Sequence, residues 1–405
     1  MFYGWRVVSG AFVAQLFVVG FFTYAASLLV APVQADFGVS LEQVMYGFTG
    51  GTLLGLVLTP VAGIMLDRYQ ARWLMAFGAL AFVGGLLWLA RSSSITEFVL
   101  VFGMTMAVTN GFASSMSAST VIARWFTASR GRALGISAIG TSAGGVLLPQ
   151  LLGVGISDLG WRDAVQWLAV AALFIMLPLV IVLVRGKPAD VGLQPEADEA
   201  GAGSIEPTGV LDSGQILRMP GFWFMSLSLG LLFSSYGAIL ANLGPYTLSL
   251  GYEQDTAATM IMAVAVTGFI GKLAFGALAD KVNLKMALGA AQMMVAAGFL
   301  LLAAEPAYAL ILCASALIGL AAGGMLPVWG ALTARVFGLL SYGRVMGMMG
   351  PVITLCVMPG YAVVGRLHDT TGSYTLALQL FIGVLFVALV LLVPLKMEPA
   401  VRAAH

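Results

Sequence analysis

From Val7 to Val33 the chain runs without one charged residue. A helix needs about 20 apolar residues to cross the hydrocarbon of a bilayer. In lipid the backbone must satisfy its own N–H and C=O groups, which leaves helices or closed barrels. Apolar runs of helical length recur along the chain. The candidate spans are 7–33, 42–66, 73–91, 96–123, 132–157, 162–184, 221–249, 256–279, 286–303, 307–334, 343–367 and 373–395. Of 405 residues, 60% are hydrophobic and 9% charged; a soluble domain carries about 25% charged residues. The chain is therefore predicted to be an all-α polytopic membrane protein with twelve transmembrane helices. A net charge of +1 gives no case for nucleic-acid binding. The opening "MFYGWRVV" lacks the basic region and cleavage site of a secretory signal. Cys313 and Cys356 lie in apolar runs and read as buried free thiols, and His368 and His405 are too far apart for a metal motif. There is no nucleophile beside a base and no pair of catalytic carboxylates. The expectation is a protein that is not an enzyme and takes no cofactor.

Connections between spans are short, with one exception. Residues 185–219 are polar, acidic and rich in Gly and Pro, the composition of a linker. The predicted division is a six-helix bundle at 1–184, a cytoplasmic linker at 185–219 and a second six-helix bundle at 220–405. Within the linker "VLDSGQILRM" reads as a short interfacial helix. Lysine and arginine favour cytoplasmic loops. With both termini in the cytoplasm, fifteen of the nineteen basic residues fall inside and Arg91, Arg162 and Arg366 outside. An integral protein of the cell (inner) membrane with both termini cytoplasmic follows as the expectation.

Two pairs of motifs repeat across the halves. "GIMLDRYQAR" (Gly63–Arg72) and "GALADKVNLK" (Gly276–Lys285) share Gly, three residues, Asp, a base, three residues and a base. "RGRALG" (Arg130–Gly135) echoes "YGRVMG" (Tyr342–Gly347) at nearly the same offset. Repeated halves around a midplane site are the plan of many secondary transporters. The duplicated loops, twelve spans and acidic linker resemble the major facilitator superfamily. That resemblance implies two pseudo-symmetric six-helix bundles. It also implies a cytoplasmic latch made by Asp67, Arg68, Arg72, Asp280, Lys281 and Lys285, with Arg130 and Arg132 nearby. Carboxylates beside arginines at helix ends can form charge-assisted bonds that differ between two gate states. "FYGW", "ARWFTASRGRALGISAIGTSAGGVLLPQL", "GWRDA", "KPADVGLQP", "LRMPGFW" and "GRLHDTTGSY", in this order, are similar to the monocarboxylate transporter and oxalate–formate antiporter branch.

One cation stands apart. Lys272 sits in "GFIGKLAFGALADK", eight residues before Asp280, or about 12 Å along a helix. In hydrocarbon a lysine costs at least ~2.5–3.5 kcal/mol, and intramembrane ionisable groups are functional by default. By the span assignments none of the eighteen acids falls mid-span. A carboxylate substrate would then supply the opposite charge. The branch resemblance implies a substrate-binding arginine four residues before the glycine of the second loop motif; Lys272 stands four residues before Gly276. Lysine is a point charge without arginine's two-pronged grip. The branch's acid one turn earlier is here Gly268, and its second cation in the eleventh span has no counterpart. One cation suits a monoanion better than a dianion. A structural cation bonded to backbone carbonyls is the competing reading of Lys272.

Asn110, Tyr236 and Asn242 are candidate hydrogen-bonders, and Tyr361 and Trp329 candidate walls for the apolar part of a substrate. Packing roles compete for each of them. The glycine runs "GFTGGTLLG" and "GTSAGG" read as close helix packing rather than phosphate loops, because they lie inside spans. Pro149, Pro351 and Pro359 are candidate kinks. The expected function is secondary transport of a small organic monoanion by alternating access, with a proton or a second anion as coupling partner. The alternatives are a polyspecific drug exporter, which would want a mid-membrane acid, and a non-transporting sensor, which would want an output domain.

Overall fold

The computed structural model describes residues 2–126, 130–194, 211–278, 283–304, 307–338 and 341–395. Asp280 and Lys281 lie outside the described residues. Among those described, twelve helices are long and apolar enough to cross a membrane. They are α1 (Gly4–Phe37), α2 (Leu41–Leu66), α3 (Ala71–Leu89), α4 (Ile95–Trp125), α5 (Arg132–Leu159), α6 (Trp161–Leu183), α7 (Pro220–Ser249), α8 (Gln254–Phe275), α9 (Leu284–Ala303), α10 (Tyr308–Phe337), α11 (Arg344–Thr371) and α12 (Thr375–Leu392). Each predicted span is present within a few residues of its expected limits. Side chains such as Leu151, Phe174 and Phe386 lie exposed along the helices. In water such apolar surface would drive association; in a membrane it meets lipid.

Local signals set the helix ends. Ser40 and Gln43 form a reciprocal capping box at the start of α2. Gly38 and Gly372 close α1 and α11 in the left-handed conformation, which glycine adopts without a Cβ penalty. In the linker, Asp212 caps a short helix, Ser213–Arg218. The Arg344 guanidinium donates to the Leu211 carbonyl at 2.7 Å, and Ser341 Oγ accepts from the Leu211 amide at 2.9 Å. The predicted interfacial helix is thus tied to the start of α11 by the arginine of the second "YGRVMG" motif.

Glycines make the helix crossings, and they make them twice. In the first half α1 meets α5 where a β-carbon added at Gly144 would strike the Leu16 carbonyl and stand 2.8 Å from Gly20 Cα. There α2 meets α4, where a β-carbon added at Gly103 would stand 3.0 Å from the Gly51 nitrogen. In the second half α7 meets α11 through Gly230 and Gly360, against Cys356 and Ser234. There α8 meets α10 through Gly268, Gly271 and Gly323. Small residues let backbones approach closely where lipid offers no hydrophobic drive for association. The duplication read from the loops recurs in these seams. The glycine runs are packing elements, as their sequence context predicted.

The helices containing Pro149, Pro351 and Pro359 are α-helical through them. Departures from α-helix fall at other places: α1 passes through a π turn at Gly20–Tyr24 and a 3-10 turn at Ala25–Leu29. The α4 chain breaks at Ala113 and Ser114, and α6 holds a π turn at Ala172–Met176.

The chain packs as two compact units. One is Met1–Gly203 with Leu240–Ala265; the other is Ser204–Ile239 with Val266–His405. In the first unit, the segment Leu240–Ala265 lies on α1, α2 and α5. Gln254 Nε2 donates to the Leu28 carbonyl at 2.9 Å, beside the irregular turn of α1. Gly145 and Gly153 admit Ala265 and Ala258. Arg162 knots the same unit together. It pairs with Asp36, donates to the Ser92 carbonyl at 3.0 Å, and lies over the Trp161 ring at 4.4 Å. Charge-assisted bonds are roughly twice as strong as neutral ones, though partial exposure reduces their worth. Arg162→Ala is expected to lower the apparent melting temperature by about 2–5 °C. A fluorescence melt of the purified protein checks this. Combining it with Asp36→Asn should give less than the sum of the two single effects.

Candidate functional site

The residues singled out in the sequence divide between the two units. Lys272, Tyr236, Tyr361 and Trp329 belong to the second, and Asn110 and Asn242 to the first. The α8 helix continues to Leu278, so Lys272 stands about 27 Å from Gln254 and about 9 Å from Leu278. It is off-centre, toward the end that carries the second loop motif. Its orientation follows from its neighbours. Ile270 and Leu273, 50% and 60% exposed, mark the outward face of α8 together with Val266. At about 100° per residue Lys272 points roughly 100–160° away from all three. The seam with α10 lies on the other side of the helix. A β-carbon on Gly323 would press the Gly268 carbonyl and stand 2.7 Å from the Lys272 nitrogen. Lys272 therefore emerges beside a rigid glycine seam, on a half-buried position away from the outward face.

Tyr361 is buried on α11, and its hydroxyl lies 3.1 Å from where a β-carbon on Gly237 would stand, next to Tyr236. Trp329 packs edge-on to Phe233 at 6.1 Å and directs its indole N–H to Met349 Sδ at 3.5 Å. Asn242 is buried, with its amide nitrogen 3.4 Å from Met45 Sδ. Asn110 is half-buried on the turn before the α4 break, where its carbonyl accepts from Ser114 Oγ at 2.5 Å. Trp329 and Asn242 make these contacts within their own units.

At the motif loops, Asp67 lies near the end of the helix Leu41–Arg68, and Arg130 opens the helix Arg130–Leu159. Arg68 is exposed, Arg72 lies over the Trp73 ring at 4.8 Å, and Arg132 over the Trp5 ring at 5.7 Å. Lys285 Nζ donates to the Val393 and Leu395 carbonyls at 2.5 and 3.3 Å, capping the end of α12. Arg124 donates to the Leu66 carbonyl at 2.9 Å and so ties α4 to the end of α2. The separate fragments "FYGW" and "RWF" meet here: Tyr3 stacks on Trp125 at 5.4 Å and Trp5 meets Phe126 at 5.0 Å.

Two glutamines escaped the sequence reading. Gln15, 2% exposed, donates to Ser137 Oγ at 2.6 Å and accepts from Ser115 Oγ at 2.8 Å, joining α1, α5 and the broken part of α4. Gln292 donates to Ser228 Oγ at 2.8 Å, and Ser228 donates to the Ala388 carbonyl at 2.7 Å. The signal was available, since each is the one amide side chain in its predicted apolar span.

Twelve helices, paired glycine seams and duplicated basic loops define a secondary transporter fold. The model of the Major Facilitator Superfamily matches residues 11–358, and the chain belongs to that family. It is a membrane transporter and not an enzyme. It is 26% identical over 350 residues to an agnestins efflux protein from Paecilomyces divaricatus, covering 84% of this chain and 75% of that protein. Its identity to monocarboxylate transporter 12 from Mus musculus is 22% over 403 residues, covering 93% and 82%. Among solved structures it is similar in fold to a bacterial homolog of the human lysosomal transporter Spinster. The TM-score is 0.71 at 14% identity, and the match covers 96% of each chain.

Proposed function

We propose that this transporter carries a small organic monoanion, such as a monocarboxylate, by alternating access, with Lys272 as the anion anchor. The observation that carries the reading is a cation within a membrane-spanning helix, turned away from the outward face and held beside a glycine seam. Opposite charge at that position is favoured strongly, because the surroundings screen it poorly. The similarity to a protein named monocarboxylate transporter 12 supports the same substrate class. Tyr236 and Tyr361 belong to the same unit as Lys272 and supply hydroxyls. Coupling runs through a proton or an exchanged anion. The excess of basic residues in alternate loops supports both termini on the cytoplasmic side of the cell membrane.

A second reading is export of larger hydrophobic compounds. It is favoured by the relatives named efflux proteins for agnestins and, in Gibberella fujikuroi, for fujikurins. Proteoliposomes separate the two. Labelled short-chain monocarboxylates should accumulate against a set pH or counter-anion gradient, and dicarboxylates and lipophilic cations should compete poorly. Transport of lipophilic cations alone would remove the anion reading.

A further inference from the structure

Away from the Lys272 helix, a cleft of about 580 Å³ opens between α3 and α4. Its walls are Trp88, Leu100, Val101 and Met104, with Leu100 66% exposed, so it opens on the face that meets lipid. Its floor is sealed where Gly85 meets Thr105. A carboxylate stands at its mouth. Glu97 accepts from Trp88 Nε1 at 2.8 Å through one oxygen, and from the Ser93 amide at 2.9 Å and the Ser93 hydroxyl at 3.0 Å through the other. A carboxylate has about four acceptor positions, so three bonds fix it and leave room for one more donor. The exposed indole of Trp88 lies beside it, and an aromatic face next to a carboxylate receives an ammonium. Arg91, exposed in the connection between α3 and α4, adds a guanidinium suited to a phosphate. From Glu97 to Met104 the cleft runs about 10 Å along the helix, comparable to the ~15 Å depth of one leaflet's hydrocarbon.

We propose that this cleft holds a zwitterionic phospholipid with a primary-ammonium headgroup. The ammonium sits on the free acceptor position of Glu97 beside the Trp88 ring, the phosphate faces Arg91, and one acyl chain lies in the cleft along Leu100 and Met104. The acid that opens α4 and the base that follows α3 match both charges of such a headgroup, and the apolar cleft below matches its chain. The site is independent of the transported cargo. The test is native mass spectrometry of the full chain in detergent, with phosphatidylethanolamine and phosphatidylglycerol added in equal amounts. Phosphatidylethanolamine adducts should dominate by about tenfold. Glu97→Gln, which keeps a hydrogen-bond acceptor but loses the charge, should bring the two lipids level. Ser93→Ala keeps the charge, loosens its orientation and should give an intermediate preference. Equal binding of both lipids by the native chain overturns the proposal. So does a preference that survives Glu97→Gln at an unchanged melting temperature, or a dimer mass that these substitutions abolish.

Discussion

Lys272→Ala is expected to lower monocarboxylate uptake by about a hundredfold or more. Truncating one partner of a desolvated charge pair costs about 2–5 kcal/mol, and about 2.7 kcal/mol is a factor of a hundred. Loss of expression does not explain such a result, because removing a charge from a span favours insertion by ~2.5–3.5 kcal/mol. Lys272→Arg keeps the charge but changes its shape and reach. It should retain measurable uptake with a raised KM. Lys272→Gln, of similar length and neutral, should behave as the alanine variant does. Uptake by all three variants at the native rate would reduce Lys272 to a structural cation. Counterflow in proteoliposomes, at matched protein per vesicle, is the measurement.

The second large effect is expected at Gly323, which touches no substrate in this reading. A methyl group there presses the Gly268 carbonyl and stands 2.7 Å from the Lys272 nitrogen and 2.9 Å from the Gly271 carbonyl carbon. All three are backbone atoms, so no side chain can swing aside; α8 and α10 must part. Overpacking of this kind costs about 1–3 kcal/mol. A 1 Å displacement near a reacting or binding group can cost about a hundredfold in rate. Gly323→Ala should therefore depress both the melting temperature and uptake, with uptake falling at least about tenfold. Gly350→Ala in α11 is the control, because a β-carbon there meets nothing within 4 Å. If the two variants behave alike, the seam does not position Lys272.

Much of the architecture was legible without coordinates. Twelve spans, the duplicated basic loops and a linker helix at Ser213–Arg218 follow from apolar run length, charge placement and a capping aspartate. Membrane proteins are readable in this way because the bilayer imposes one length and one polarity on every span. The candidate site was less legible. Lys272 announced itself by its charge, but nothing in the sequence announced that Trp329 reaches Met349 or Asn242 reaches Met45. An aromatic ring or an amide in a span looks the same from the sequence whether it meets substrate, Met349 or Met45. Nor did the sequence announce where the backbone leaves regular α-helix, at Gly20–Leu29 and Ala113.

Sequence alone determined the membrane class, the number of spans, the repeat and the presence of an intramembrane cation, because each is a property of single segments in lipid. Only the tertiary structure decided which way Lys272 faces and which glycines hold its helix. It alone decided that Gln15 joins three helices, and that Glu97 stands fixed at the mouth of an apolar cleft. Those facts depend on which helix faces meet, and a face is set by partners far away in the chain.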